Sequence, residues 1–216
     1  MRHYLDHAAS SPLRPAARAA MADALGLVGN PSSLHTSGRR ARGVLEDARE
    51  QLAASIGAHP TEVIFTSGGT EADNLAVLGA AAAGLAAGRA RVAASTVEHP
   101  AITNAVRTLG ERALWLGVDA DGVVTADALA TLDASVSVAS VLWVNNETGA
   151  IQPVPAVVDA ARRAGALAHS DGVQALGHVP VSFPASGLDA LSLSAHKVGG
   201  PVGIGALVVR RGVRLA

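Results

Sequence analysis

The chain has no cysteine and only one lysine. Without cysteine, its 216 residues hold no disulfide, no thiolate metal site and no cysteine nucleophile. Charge is also scarce: charged residues make up 16% and the formal net charge is −1. That balance lacks the electrostatic footprint of a nucleic-acid binder, so no nucleic-acid partner is expected. The one basic cluster, Arg39, Arg40 and Arg42, falls on an expected helix, where a solvated face explains it. No apolar run reaches the length of a membrane span, and no membrane partner is expected. The most apolar stretch, Leu75 to Ala87, is alanine-rich and short, and is expected as a buried helix. The opening "MRHYLDHAAS" lacks the apolar core of a signal peptide, which makes the cytoplasm the expected location. No internal repeat or low-complexity linker interrupts the chain.

What remains is apolar. Hydrophobic residues make up 49%, enough for one large domain with a well-buried interior. Two helices are expected first, over 15–27 and 37–56, the second with Val44, Ala48, Leu52 and Ile56 about one turn apart. Strands then alternate with helices. Strands are expected at 62–67, 90–95, 113–118, 136–144, 166–170, 189–194 and 204–210. Helices are expected at 70–85, from Pro100, at 125–132 with Thr125 as cap, and at 153–164. The 136–144 run is apolar enough to be buried on both faces. This alternation predicts an α/β fold, a three-layer sandwich around a mainly parallel central sheet. In such sheets, ligands bind beyond the carboxyl ends of the strands.

The residues at those ends are informative. Sixteen of the seventeen basic residues are arginine, and the exception is Lys197 in "LSLSAHKVGG". Arginine stays protonated, whereas a desolvated lysine can lose its proton and attack a carbonyl. A unique surface lysine is the plain alternative. After the first strand, Gly68-Gly69-Thr70 opens a helix, which suits a phosphate, although such a turn taken alone is usually a structural cap. His99 ends "TVEHP", as a ring-covering imidazole or as a plain helix-start residue. Asn145 and Asn146 are either turn residues or amides pointed into a site. Asp171 and Gln174 are spaced as one helical turn, and Asp171 is either an acid for a ring nitrogen or a cap. Ser194, His196 and Lys197 end another strand. Pyridoxal phosphate uses all of these groups: a phosphate site, an amine for its aldehyde and an acid on its ring nitrogen. A nicotinamide site has no use for Lys197. No metal site is expected, since metal donors would cluster more tightly.

Seven segments in order, "YLDHAASSP", "GNPSSLH", "EVIFTSGGTEADNLA", "EHPA", "VNNETG", "SDGVQALG" and "LSLSAHKVGGPVGIGAL", resemble the cysteine desulfurases, fold-type I enzymes of the class V aminotransferase superfamily. The resemblance runs over essentially the whole chain. It implies the large domain of a fold-type I pyridoxal-phosphate enzyme, incomplete at its end. By the resemblance, Lys197 would bond the cofactor aldehyde, while His99 would stack on the ring and move protons. Asp171 would meet the ring nitrogen and Gln174 the phenolic oxygen. Gly69, Thr70, Ser194 and His196 would hold the phosphate, Asn146 would face the substrate carboxylate or the cofactor oxygen, and His7 and Ala8, with Ala9, would line the substrate side. The family reaction converts L-cysteine to L-alanine and passes the sulfur through an enzyme cysteine to acceptors such as iron–sulfur scaffold proteins. The complete enzymes are homodimers.

Departures from the family pattern accompany the likeness. The sulfur-accepting cysteine has no counterpart here, and Ala195 stands where a glycine is usual. Family members continue past this point into further large-domain elements and a small C-terminal domain. The expected organisation is therefore residues 1–14 as a segment belonging with the small domain and 15–216 as the cofactor domain of a truncated desulfurase, inactive alone in sulfur transfer. Two alternatives stand beside it: another class V pyridoxal-phosphate enzyme, such as a selenocysteine lyase, and a non-catalytic remnant that binds a partner.

Overall fold

The structure is a computed structural model that describes residues 3–216. Residues 1 and 2 of the expected N-terminal segment lie outside the described residues. Two helices, α1 (Pro15–Leu25) and α2 (Thr36–Ile56), precede the first strand. Then follow β1 (Val63–Thr66), α3 (Gly69–Ala86), β2 (Arg91–Ser95), α4 (Pro100–Arg107), β3 (Ala113–Leu116) and α5 (Ala126–Ala130). The chain continues with β4 (Val136–Ser140), α6 (Val154–Ala164), β5 (Leu167–Asp171), α7 (Phe183–Ser186), β6 (Ala190–Ser194) and β7 (Gly205–Val209). The short α7 was not foreseen from the sequence.

The seven strands form one sheet in the order β1-β7-β6-β5-β4-β2-β3. All adjacent pairs from β6 to β3 are parallel, while β7 runs antiparallel to both its neighbours. The sheet is thus mainly parallel, as expected. Helices cover both faces. On one side α3 and α4 pack Val77, Ala80, Ala81, Ile102 and Val106 against Val92, Ala94 and Val138. On the other, α2, α5, α6 and α7 bring Ile56, Leu129, Val157 and Phe183 onto Ala93, Ala139, Leu191 and Val208. Neighbouring strand residues feed opposite cores, as the period of two demands. Each fully buried Val, Ile or Leu in these layers contributes about 1.5–3 kcal/mol of transfer free energy.

Where α3 crosses the sheet, small residues set the spacing. A Cβ on Gly84 would fall 2.2 Å from the Cβ of Ser137, so the helix approaches β4 only because that position is bare. The large apolar residues of this helix behave otherwise than expected: Leu75, Leu78 and Leu85 are exposed, and alanines and Val77 are buried. Close helix–sheet contact selects the small side chains and turns leucine outward. The α2 stripe also divides. Ile56 and Ala53 are buried at its end, but Val44 and Ala48 are exposed, because only the last turns reach the sheet. Helix α1 buries none of its residues.

Two strands end earlier than the sequence suggests. The 136–144 run leaves the sheet after Ser140, and Asn145 to Ala150 fold back as a turn closed by the Asn145 N–H on the carbonyl of Ala150 at 2.9 Å. The 113–118 run stops at Leu116, and Val118 pairs only as an isolated bridge with Val124. Thr125 caps α5 as expected, its hydroxyl accepting from the Ala128 N–H at 3.1 Å.

Candidate active site

The parallel strands β2, β4, β5 and β6 all end at one edge of the sheet, and a cavity of about 570 Å³ lies there. Ala8, Gly69, Thr70, His99, Asn146, Asp171, Gln174, Ser194, His196 and Lys197, all singled out from the sequence, line it. Of the residues given a role by the resemblance, His7 lies outside, as does Asn145 of the asparagine pair. His7 borders a second, smaller cavity of about 290 Å³ on the other side of Lys197, beside Arg14 and His178.

One wall is the start of α3. Thr66 and Glu71 shape the turn before it: the Thr66 hydroxyl donates to the Gly68 carbonyl at 2.9 Å, and a Glu71 oxygen accepts from the Ser67 N–H and hydroxyl at 2.6 and 2.7 Å. Gly68 leaves the helix without a side-chain cap, so the first-turn N–H groups of an 18-residue helix face the cavity. Gly69 is required by proximity, since a Cβ there would lie 2.8 Å from a methyl of Val173. Opposite stands Ser194, whose buried hydroxyl oxygen has no hydrogen-bond partner among the described residues. An unpaired buried hydroxyl beside an open helix N-terminus is a site waiting for an acceptor-rich anion.

The lysine comes from the turn after β6. That turn is held from outside by the N-terminal segment: Ser11 donates its N–H to the His196 carbonyl at 2.8 Å and its hydroxyl to the Lys197 carbonyl at 2.9 Å. The Lys197 ammonium donates to the carbonyl of Ala9 at 3.1 Å and to that of Ala8. Burial lowers its proton affinity below the ordinary lysine value, with Asp171, Asp6 and Glu147 pulling the other way. His196 is lowered too, by burial and then by Lys197.

The floor is acidic. Asp171 is the last residue of β5 and accepts the Val173 N–H at 2.8 Å. Residues 173–178 are a series of turns, so Asp171 and Gln174 do not share a helix. The Gln174 amide donates to the Ala8 carbonyl at 2.7 Å. His99 caps α4 by accepting the Ala101 N–H on Nδ1 at 3.1 Å, which places the proton of the neutral ring on Nε2. Of the two asparagines, Asn145 is structural: its Oδ1 accepts from Glu147 and Thr148, and its amide donates to Val97. Asn146 faces the cavity and donates to Glu147 at 2.6 Å.

Two acids escaped the sequence reading. Asp73 is almost wholly buried, three residues past Thr70, and one of its oxygens and one of Asp171 lie within 4.8 Å of each other and of a His99 nitrogen. That spacing alone would also suit a metal ion. The burial of both acids and the absence of donors on Asp73 favour a proton there instead. Glu98 is buried beside His99, where one oxygen accepts from the Ser95 hydroxyl at 2.5 Å and the Leu142 N–H at 2.8 Å, and burial pushes its carboxyl up to about 8. A lone acid in the alanine-rich face of α3 was the available signal for Asp73. For Glu98 it was the residue before the histidine.

Residues 3–215 match the family described as Aminotransferase class-V. The IscS-like cysteine desulfurase of Mycobacterium tuberculosis is 48% identical over 219 residues, an alignment covering 97% of this chain and 56% of that protein. The cysteine desulfurase IscS of Dictyoglomus turgidum is 42% identical, covering 98% and 55%. Among solved structures, a NifS-like protein superposes with a TM-score of 0.94 at 33% identity, over all of this chain and 60% of its own. A structure described as SspA in complex with cysteine gives 0.93 at 31%, over all of this chain and 64% of its own. The chain spans a little over half the length of the curated relatives it matches.

Proposed function

We propose that this chain, which belongs to the class-V aminotransferase family, is the cofactor-holding part of a pyridoxal-phosphate-dependent cysteine desulfurase. One observation carries the reading: a lone primary amine, an uncapped helix N-terminus with an unpaired buried hydroxyl, and a buried acid surround a single cavity. The residues fit the cofactor in size and chemistry. Gly69, Thr70, Ser194 and His196 are the groups to hold its phosphate, and the vacant donor capacity of Ser194 is what a phosphate oxygen would use. Asp171, with one oxygen held by Val173, keeps the other for a ring nitrogen. Gln174 supplies an amide, and Asn146 a second one for a carboxylate. When bound, pyridoxal phosphate supplies an aldehyde that bonds amines and a protonated ring that withdraws electrons.

The chain's own groups then divide the work. Lys197, with its proton affinity lowered by burial, offers an unprotonated Nζ more readily than an exposed lysine, and leaves the Ala8 and Ala9 carbonyls to do so. His99, its Nδ1 committed to α4, presents Nε2 for proton movement. The substrate in this reading is L-cysteine, the product is L-alanine, and the sulfur goes to a cysteine outside these 216 residues and on to an acceptor such as an iron–sulfur scaffold protein. A homodimeric, cytoplasmic enzyme is the proposed setting, with residues 1–14 belonging to a small domain and 15–216 forming the large one.

The test is the visible absorbance of the chain mixed with pyridoxal phosphate, beside Lys197→Ala. A yellow, borohydride-reducible adduct that the variant lacks is expected. An equal adduct on both proteins, or none on either, would refute the reading for this chain. With L-cysteine added, the chain alone is expected to carry no protein persulfide.

A further inference from the structure

Behind the cavity floor lies a carboxyl group that the proposed function does not use. Asp73 projects from α3 into the sheet, its side chain about 1% exposed, and among the described residues no N–H or O–H meets either oxygen in good hydrogen-bond geometry, although the Ser192 hydroxyl lies near. An ionised carboxylate could not be left so.

The groups facing it come from four elements. From β5 comes His169, whose Nε2 is 3.8 Å from an Asp73 oxygen, too long for a hydrogen bond. Both nitrogens of that ring already meet serine hydroxyls at 2.9 Å, Ser140 on Nδ1 and Ser192 on Nε2. Burial drives the His169 ring down to about 3, so it is neutral and gives Asp73 no counter-charge. From β6, the Ser192 hydroxyl, which also meets His169, favours the charged form, but less than burial and the charge of Asp171 oppose it. Glu98, after β2, is itself a buried acid, and its charge would oppose that of Asp73. Asp171 ends β5 with one of its oxygens within 4.8 Å, and a His99 nitrogen lies within the same limit. Lys197, in the turn after β6, bears on Asp171.

Two buried carboxyls this close cannot both be charged. Their surroundings are unequal. Burial raises the proton affinity of Asp171 as well, but the Val173 N–H at 2.8 Å and the positive charge of Lys197 oppose that rise and favour its ionised form. Asp73 has no comparable donor or cation, and burial, then the charge of Asp171, raises its proton affinity well above the ordinary range.

We propose that Asp73 is a positioning residue: as a neutral acid it donates its proton to one oxygen of Asp171, so that Asp171 keeps a single, oriented negative charge facing the cavity. The shared proton follows from the chain alone. The use of that charge toward a ring nitrogen rests on the pyridoxal-phosphate reading.

The experiment has two arms. Infrared spectra of the chain at neutral pH, compared with Asp73→Asn and Glu98→Gln, report protonated carboxyls directly. The wild type is expected to show two protonated-carboxyl bands, each variant deleting one. No band lost in Asp73→Asn would overturn the proposal. The second arm titrates pyridoxal phosphate into wild type, Asp73→Asn and Asp73→Ala and follows adduct absorbance against pH. The asparagine amide still donates to Asp171, so its affinity is expected within about threefold of wild type with the same pH midpoint. The alanine variant is expected to bind about tenfold more weakly, the worth of one hydrogen bond to a charged group, with a displaced midpoint. Equal losses in both variants would overturn the positioning role. A wild-type chain that shows the Asp73 band yet forms no adduct would sink the cofactor reading while upholding the shared proton.

Discussion

The Gln174 side chain donates to the carbonyl of Ala8 at 2.7 Å, across 166 residues of sequence. With Ser11 on the His196 and Lys197 carbonyls, and the Arg14 N–H on Gly199 at 2.8 Å, it straps the N-terminal segment over the lysine turn. Gln174→Ala is expected to loosen that strap. Limited proteolysis should cut within residues 3–14 several times faster, while the thermal midpoint of the sheet stays almost unchanged. An unaltered cleavage rate would show that the backbone contacts suffice.

Ser194 separates binding from stability. Its hydroxyl is buried and unpaired, so Ser194→Ala removes a desolvated group that contributes nothing to the fold. Thermal stability is expected to hold or rise slightly. Affinity for pyridoxal phosphate is expected to fall about tenfold, as one hydrogen bond to an anion is lost. A matched loss of both would identify a structural role.

Gly69→Ala tests the cradle by shape. The added methyl meets Val173 at 2.8 Å and must displace it or the helix start. Cofactor affinity is expected to drop by about tenfold or more, on the scale of a single overpacking strain. Adding Val173→Ala makes room and should restore most of it. Calorimetric titration of both proteins decides the matter.

Glu98 and His169 give the stability a pH signature. Glu98 has its folded value raised to about 8 from 4.5, so its neutral form is fully favourable below 4.5 and stability falls as pH rises toward 8. His169 is depressed to about 3 from 6.5, so its contribution is complete above 6.5 and is lost as pH falls toward 3. Those two slopes cancel between 4.5 and 6.5, but Asp73, whose proton affinity is also raised, adds a third that lowers stability as pH rises. Thermal midpoints are expected to be highest near pH 4.5, to decline gently up to 6.5 and more steeply above it. Glu98→Gln should abolish about half of the decline above 6.5, and an unchanged alkaline limb in that variant would assign the slope elsewhere.

Much of the site was legible because the parallel sheet makes strand ends converge. The run of VIFT, RVAAS, VSVAS, LAHSD and ALSLS marked β1, β2, β4, β5 and β6, and the polar residue after each had to face the same edge. His7, which the resemblance sets on the substrate side, borders the neighbouring cavity across Lys197; the N-terminal segment lies over the lysine turn rather than in a strand, and its local sequence does not say on which side of Lys197 each residue falls. The stripe from Val44 to Ile56 suggested a helix face buried along its length. Periodicity gives the face, but only packing decides how much of it meets the sheet.

The sequence by itself determined the alternation of strand and helix, the parallel core and the choice of chemical groups, since these depend on local periodicity and on residue type. The lone lysine, the Gly68-Gly69-Thr70 turn and the aspartate after LAHS were readable in that way. Only the tertiary structure decided the rest. It buried Asp73 against Asp171, gave His169 two serine partners, left Ser194 without one and turned the leucines of α3 outward. Protonation and pairing are set by what surrounds a group in three dimensions, and residues far apart in the chain supply those surroundings.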